Sequence, residues 1–158
     1  MRSLKSTWWV ALLALGVVAC ATPGGKPSPD KPVARGQPIP ESDLSAWNID
    51  IRTPDGIGLP SGSGSVAAGK TVYDTQCASC HGVGATGGAM FGTMVGGIGS
   101  FKTDRRVVTP GSMYPYAPAL FDYVRRAMPM TAPQSLSNEE VYAVSAYLLH
   151  LNGLISAD

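Results

Sequence analysis

The sequence has few of the residues from which metal and redox sites are usually built: three cysteines and two histidines among 158 residues. Charged residues make up 15% of the chain, and 12 basic against 11 acidic side chains leave a formal charge of +1. Nucleic-acid-binding domains carry a clear excess of positive charge, so we expect no nucleic-acid partner. The sequence also has no recognisable grouping of acid, base and nucleophile, so it predicts no catalytic residue and a protein that is not itself an enzyme.

Long apolar runs and alternating strand patterns are missing as well. Residues 8–18 form the apolar core of the N-terminal segment, which is well short of the roughly 20 residues that a membrane-spanning helix needs. No segment alternates apolar and polar side chains in the way that a half-buried strand does. The sequence therefore predicts an all-α fold.

Two of the three cysteines are concentrated in one short motif. Cys77 and Cys80 are separated by two residues, and His81 follows directly. A C-x-x-C-H run is the covalent attachment site of a c-type haem. In this interpretation each thiol bonds one vinyl group of the haem, and the imidazole of His81 binds the iron as its proximal ligand. The sequence thus predicts one covalently bound haem c.

Two other kinds of site contain the same cysteine spacing, a thioredoxin-like redox pair and half of a zinc site. In a thioredoxin-like site, a helix that belongs to a strand–helix–strand unit follows the cysteine pair. Here a glycine-rich segment follows His81 instead. A zinc site needs further ligands, and the remaining cysteine and histidine are Cys20 and His150, both far along the chain. Haem attachment is therefore the interpretation that the sequence favours.

The N-terminal segment is typical of an export signal. Two basic residues precede the apolar residues 8–18, and the segment ends in Val-Ala-Cys at Cys20. This ending resembles a bacterial lipobox, in which the peptidase cuts before the cysteine and lipid is attached to its sulfur. The alternative, ordinary cleavage nearby, would leave Cys20 as an unpaired exported thiol. We therefore predict a lipoprotein signal peptide over residues 1–19 and lipid attachment at Cys20.

Residues 21–40 contain six prolines and little apolar bulk, so we expect a semi-extended tether rather than a folded segment. The tether leads to one predicted haem-binding domain, residues 41–158, with an N-terminal extension over 41–64 and a haem core over 65–155. The export signal and the haem motif predict a location outside the cytoplasm, and multiple acyl chains anchor a protein stably. The predicted location is therefore the periplasmic side of a bacterial membrane. Ala21 stands where an aspartate commonly signals inner-membrane retention, which favours the outer membrane.

Three helices are expected in the domain. The first covers residues 66–78 and runs into the haem motif, and the second covers residues 118–127. The third begins at a capping box, with Ser137 as N-cap and Glu140 at the third position, and Asn152-Gly153 ends it. Apolar residues at helical spacing mark the buried faces of the last two helices: Leu120, Phe121 and Val124, then Val141, Val144, Leu148 and Leu151.

This order of helices around a haem motif resembles the class I cytochrome c fold. In that fold the terminal helices cross at a contact between glycine and an aromatic residue, and Gly69 against Tyr147 is the predicted crossing. The distal ligand of class I cytochromes is commonly a methionine in the loop before the last helix, often followed by proline. Met128, which precedes Pro129, is the predicted ligand, and Met130 is its competitor.

The remaining candidates for ligands have more ordinary interpretations. His150 would give a bis-histidine site, but it falls in the last turn of a predicted helix, where the dipole favours a cationic side chain. Met90, Met94 and Met113 are expected to pack against the porphyrin, because methionine fills irregular gaps well.

Beyond the haem motif, the sequence resembles the monohaem cytochrome subunits of bacterial sulfite dehydrogenases and the cytochrome domain of the Sox sulfur dehydrogenase. The similar segments run from residue 47 to residue 155: WNIDI at 47–51, PDG at 54–56, GLPSGSG at 58–64, VGG at 95–97, YPY at 114–116, LFDYVRRAMP at 120–129, APQSL at 132–136 and YLLHLNG at 147–153. In that family the methionine that matches Met128 is the distal ligand. The chain departs from many class I cytochromes in lacking a proline between His81 and Thr109, whose carbonyl would accept the imidazole N–H.

The resemblance implies single-electron transfer between a redox donor and an acceptor, with a sulfite or other sulfur-compound dehydrogenase as a possible donor. A general relay in a respiratory or photosynthetic chain is the first alternative. The second is a haem enzyme or gas sensor whose methionine leaves the iron. Docking is expected beside Cys77 and Cys80, flanked by the glycine-rich loop of residues 82–99 and the turn of residues 128–133. Five basic side chains supply positive charge, some of which could instead neutralise haem propionates. These positive side chains are Lys102, Arg105, Arg106, Arg125 and Arg126.

Overall fold

The computed structural model of the protein describes residues 36–158. The predicted signal peptide over residues 1–19, Cys20 and the tether up to residue 35 lie outside the described residues, while residues 36–40 are exposed and carry no regular structure. From residue 36 onward the regular structure is helical, without a strand, which confirms the predicted all-α fold. Within the same range, no helix combines the length and the apolar character needed to cross a bilayer.

Six α-helices and two short 3₁₀ turns make up the described secondary structure. The helices are α1 (Glu41–Leu44), α2 (Val66–Gln76), α3 (Ala78–His81), α4 (Pro110–Met113), α5 (Ala117–Ala127) and α6 (Asn138–Leu151), and the 3₁₀ turns are Val83–Ala85 and Ser100–Lys102.

The first predicted helix is interrupted inside the haem motif. Instead of one helix over residues 66–78, α2 ends at Gln76 and α3 begins after Cys77, whose backbone leaves helical geometry at φ −121° and ψ −36°. The hydrogen bonds continue across the break: the Cys77 N–H donates to the Tyr73 carbonyl at 2.9 Å, and the Cys77 carbonyl accepts from the His81 N–H at 3.0 Å. The motif is therefore a kinked continuation of α2, not its last turn.

Helices α2 and α6 cross at the predicted glycine. A Cβ atom added to Gly69 would lie 1.9 Å from the Ala143 carbonyl oxygen and 2.8 Å from the Tyr147 Cβ, so any larger residue would force the helices apart. Next to this contact, the rings of Tyr73 and Tyr147 lie 5.4 Å apart between centroids. The predicted crossing of Gly69 with Tyr147 is confirmed.

The start of α6 and the buried face of α5 also agree with the sequence. The Glu140 N–H donates to the Ser137 Oγ at 3.2 Å, and the Glu140 carboxylate accepts the Ser137 N–H at 2.8 Å, which completes the capping box. Leu120, Phe121 and Val124 are all buried where α5 packs on α6.

The N-terminal extension is tied to α5 by Arg126. Its guanidinium donates to the Asp122 carboxylate at 2.7 Å, to the Ile49 carbonyl at 2.9 Å and to the Asp50 carboxylate at 3.0 Å. Nearby, the Tyr142 hydroxyl donates to the Pro60 carbonyl at 2.7 Å. Arg126 was predicted as part of a positive docking flank, and this is wrong, because two carboxylates offset its charge and the contacts hold the extension.

Candidate haem-binding site

A cavity of about 420 Å³ opens beside the helix crossing, within the range of roughly 300–1,000 Å³ that is usual for ligand pockets. Residues from α2, α3, α4, α5 and α6 form its wall together with the segments between them. The structure brings Cys77, Cys80, His81 and Met128 together in this wall. No Lys, Arg, Asp or Glu belongs to it among residues 36–158, so the cavity is suited to a largely apolar group.

The two cysteines of the motif do not form a disulfide with each other. Burial raises the pKa of Cys77 to about 11, and the neighbouring Cys80 adds to the shift. Reactive redox cysteines have a lowered pKa, so the raised pKa of Cys77 does not fit a redox pair. In the part of the chain that the structure describes, no three His, Cys, Asp or Glu side chains are grouped as metal ligands. The pair fits covalent thioether formation better than either alternative.

His81 ends α3, with its Nδ1 atom buried and without a hydrogen-bond partner in residues 36–158. Burial lowers the pKa of this imidazole, which favours the neutral form that binds metals. The ring of Phe91 lies against it, at 5.0 Å between centroids and 24° between planes. Phe91 was not predicted as a site residue, because only the path of the glycine-rich segment brings it to His81.

Every methionine other than Met1 contributes to the cavity wall, so the expected packing positions of the three additional methionines agree with the structure. They are Met90, Met94, Met113, Met128 and Met130.

Of the two candidate ligands, Met128 is better placed than Met130 to bind the iron. Its N–H donates to the Val124 carbonyl at 3.0 Å, so its position is fixed by the end of α5, and its side chain packs against the buried core. Met130 is 55% exposed. His150 is not part of the cavity wall; it lies in the last turn of α6, with Nδ1 3.2 Å from the Ile155 carbonyl oxygen. This position agrees with the ordinary interpretation of His150 and not with a bis-histidine site.

Asn152 is a further residue whose role was not predicted, because the sequence marked it only as a helix stop. Its side chain is buried, accepts the Gly96 N–H at 3.0 Å and donates to the carbonyls of Met94 and Leu148 at 3.0 and 2.9 Å. Thr109, also buried, donates its hydroxyl to the Gly96 carbonyl. These bonds fasten the segment that carries Met94 to the end of α6, and so fix one side of the cavity.

The polar part of the cavity wall consists of neutral side chains. Tyr114 and Tyr123 lie 6.3 Å apart between ring centroids, and Gln76, Ser79 and Thr131 add further hydrogen-bonding groups. Burial raises the pKa of Tyr114, with a smaller contribution from Tyr123, so its hydroxyl stays a hydrogen-bond donor at neutral pH. Donors of this kind suit the carboxylates of a haem.

Comparison with known proteins identifies the fold and the cofactor class. The sequence model of the cytochrome c family matches residues 66–152, more than half of the chain. One chain of the crystal structure of the sulfane dehydrogenase SoxCD from Paracoccus pantotrophus superposes with a TM-score of 0.71 and 41% sequence identity. That match covers 80% of this chain and 62% of the other.

A second relative matches over a shorter segment. Cytochrome c-554(547) of Halothiobacillus neapolitanus is 56% identical over 34 residues, which are 22% of this chain and 37% of that protein. The chain thus spans less than two thirds of either relative. The resemblance to a Sox cytochrome that the sequence predicted is confirmed. The chain belongs to the cytochrome c family, and its cofactor is the one covalently bound haem c that the C-x-x-C-H motif predicted.

Proposed function

We propose that this protein is a periplasmic, membrane-tethered cytochrome c that accepts single electrons from a sulfur-compound dehydrogenase and passes them to a second redox protein. Electron transfer itself follows from the family. The observation that carries the proposal is an apolar cavity whose wall contains two cysteine sulfurs, an imidazole and a thioether.

Within this proposal, Cys77 and Cys80 would hold the haem covalently, and His81 and Met128 would supply side-chain ligands to its iron. The bound haem supplies a one-electron iron couple, which thioether ligation keeps at a higher potential than a second histidine would. The apolar wall excludes water from the cavity, and the kink at Cys77 orients both thiols of the motif. A haem enzyme or gas sensor would need an open position on the iron, whereas the cavity wall offers two candidate ligands, His81 and Met128, which favours electron transfer.

The likeness to SoxCD supports a dehydrogenase as electron donor, because that relative is itself a sulfane dehydrogenase. A relay without a dedicated dehydrogenase is the second candidate, which the predicted lipid anchor and tether favour, since they differ from a soluble subunit. Lys102, Arg105 and Arg106 are exposed and form a basic segment close in sequence to the wall residues Val108 and Thr109. A partner with an acidic surface fits this basic segment.

The donor is tested by co-purification from solubilised membranes followed by stopped-flow mixing. A sulfur-compound dehydrogenase that co-purifies should reduce the ferric cytochrome in the presence of its sulfur substrate, and not without it. Co-purification with an oxidase or reaction centre alone, without any such dehydrogenase, would instead favour the general relay.

The ligand assignment is tested by replacing each methionine in turn. Met128→Ala should abolish the weak sulfur-to-ferric charge-transfer band at the red end of the spectrum and lower the reduction potential, whereas Met130→Ala should keep both. The reverse result would move the ligand to Met130. Loss of the band only in His150→Ala would overturn methionine ligation altogether.

Lipid attachment at Cys20 is tested by Cys20→Ser. Expressed with its own signal, this variant should appear in the soluble periplasmic fraction or retain an uncleaved signal, while the wild type stays with the membrane. Normal processing combined with undiminished membrane association would contradict the proposed anchor. Separating inner and outer membranes of wild-type cells then tests the preference for the outer membrane that Ala21 indicates.

A further inference from the structure

We propose that Phe91 is a positioning residue for the proximal imidazole, and that it holds His81 by ring stacking where a hydrogen bond to Nδ1 is missing. The inference rests on the proposed role of His81 as axial ligand. It concerns how that ring is held, and therefore how strongly it donates to the iron.

The need for such a residue follows from the surroundings of His81. A metal-binding histidine nearly always donates its other ring N–H to a carboxylate or carbonyl, which fixes the ring orientation and makes the ligand more basic. Here Nδ1 is buried, and no acceptor lies within hydrogen-bond distance among residues 36–158. The chain also has no proline between His81 and Thr109, and in many class I cytochromes the carbonyl of such a proline accepts this N–H. The orientation of the ring must therefore come from packing.

The packing comes from Phe91, whose ring lies nearly parallel to the imidazole, 24° between planes and 5.0 Å between centroids. Aromatic rings favour offset stacking at centroid distances of this order, so the contact restrains the orientation of the imidazole. Both residues belong to the cavity wall, so the contact lies next to the bound haem and not on a remote surface.

The fold of the glycine-rich segment brings Phe91 to this position. A Cβ on Gly82, which has φ +79°, would lie 1.9 Å from the Gly87 carbonyl oxygen, and one on Gly88 would lie 2.6 Å from the Cys80 carbonyl oxygen. Only glycines allow the chain to fold back so closely onto the haem motif.

Hydrogen bonds then close the returning segment. The Gly87 N–H donates to the His81 carbonyl at 3.1 Å, and the Gly88 N–H donates to the Phe91 carbonyl at 2.9 Å. The backbone of Phe91 is thus connected to that of His81 through two short links. This arrangement fixes the Phe91 ring relative to the imidazole.

The functional consequence is a weakly donating proximal ligand. An imidazole that does not share its Nδ1 proton has less imidazolate character, so it stabilises ferric iron less and the reduction potential is higher. The Phe91 ring also covers one face of the imidazole from solvent. Removing that ring should let water reach Nδ1 and accept its proton in a hydrogen bond, which lowers the potential.

The test uses the holo-cytochrome with Phe91→Leu, Phe91→Tyr and Phe101→Leu. Phe101 is the matched control, because it lies in the same glycine-rich part of the chain and is exposed, but it does not line the cavity. Two quantities are measured: the reduction potential and the rate at which the His81 Nδ1 proton exchanges with deuterium, followed by NMR. We expect Phe91→Leu to shift the potential downward and to accelerate exchange, and Phe91→Tyr and Phe101→Leu to change neither.

Several results would overturn the role of Phe91. They are an unchanged potential and exchange rate in Phe91→Leu, an equal shift in Phe91→Tyr or Phe101→Leu, or a lower potential without faster exchange, which would indicate general solvation of the haem. If Phe91→Leu fails to fold, an altered potential in the stacking-competent Phe91→Tyr decides against the proposal and an unaltered one supports it. Failure of the proposed function looks different: the wild-type His81 resonances would then lack the large paramagnetic shifts of an iron ligand.

Discussion

The helix crossing and the loop wall (residues 82–108) face the same cavity but are stabilised in different ways. At the crossing, Gly69 lets two helices approach to backbone contact, and Tyr73, Val141 and Val144 are fully buried. The loop wall is held by backbone hydrogen bonds and close glycine contacts. It leaves large apolar side chains exposed, namely Val83, Met90, Phe91, Ile98, Phe101, Val107 and Val108.

This difference assigns separate tasks to the two regions. The crossing buries its own apolar side chains, so its stability is largely a property of the chain. The loop wall buries little apolar area of its own, and several of its residues face the cavity that holds the cofactor. Regions with few buried apolar contacts open most easily, so the haem should contribute more to the order of the loop wall than to that of the crossing.

The largest expected effect comes from preventing haem attachment. Cys77→Ala combined with Cys80→Ala should abolish covalent haem, and hydrogen exchange should then become fast throughout the loop wall while α2 and α6 keep part of their protection. Hydrogen exchange followed by mass spectrometry measures both regions in one sample. Ser79→Ala is the control within the same motif and should keep the haem. Equal loss of protection in both regions would contradict the division between them.

A smaller but still large effect is expected at the crossing itself. In Gly69→Val the new side chain meets the Ala143 backbone, which cannot move aside without separating α2 from α6. Overpacking of this kind typically costs about 1–3 kcal/mol and occasionally more, and we expect the upper end. Denaturant unfolding followed by circular dichroism measures the loss.

Gly92→Ala is the matched control in the loop wall, because a Cβ there has no neighbour within 4 Å. The free energy of unfolding should change by no more than about 0.5 kcal/mol, as for most surface substitutions. Similar losses in Gly69→Val and Gly92→Ala would mean that the crossing is no more tightly constrained than the loop wall.

The third effect lies where the two regions join. Asn152→Ala removes the side chain that binds the Gly96 N–H and the Met94 carbonyl, and each buried group left without a partner costs about 1–3 kcal/mol. Water can reach the freed loop groups, so the loss of unfolding free energy should be at the lower end. Asn48→Ala, at an exposed position in the N-terminal extension, should be neutral. The midpoints of thermal unfolding of the two ferric variants are compared. Equal midpoints would mean that Asn152 does not stabilise the connection between the loop wall and α6.

The same contrast explains which features the sequence predicted. The capping box at Ser137, the buried face of α5 and the contact of Gly69 with Tyr147 were predicted because each depends on spacing within a helix, or on a fold-wide pattern of terminal helices. The haem motif is also local, since its five residues are consecutive. Local chemistry of this kind is readable without knowing the path of the chain.

The features that were missed depend on where loops run. Phe91 reaches His81 only because Gly82 and Gly88 permit close backbone approach, and Asn152 meets Gly96 across 56 positions of sequence. The sequence predicted Arg126 as an unpaired positive charge, whereas in the structure the N-terminal extension places Asp50 beside it. A pattern of residue types does not encode such distant encounters. Lipid attachment at Cys20 stays a prediction, because it lies outside the described residues.

The smallest expected effect concerns the charges carried by the loop wall. Lys102, Arg105 and Arg106 are exposed, whereas Arg126 is paired with two carboxylates. If this basic segment steers an acidic partner, Arg105→Glu with Arg106→Glu should lower the second-order rate of electron transfer about tenfold at low salt. The rate of the wild type should fall as salt rises, because the Debye length shrinks to about 10 Å at 0.1 M. Stopped-flow absorbance measures both dependences.

The control for this prediction is Arg52→Glu, which reverses an exposed charge in the N-terminal extension and disrupts only its pairing with Asp55. Exposed ion pairs contribute little to stability, so this variant should fold normally and retain both the wild-type rate and its salt dependence. A rate that stays flat across the salt range, and that the double reversal leaves unchanged, would contradict electrostatic steering. Docking would then depend on exposed apolar side chains that line the cavity, and substituting Val108 or Met130 should slow electron transfer instead.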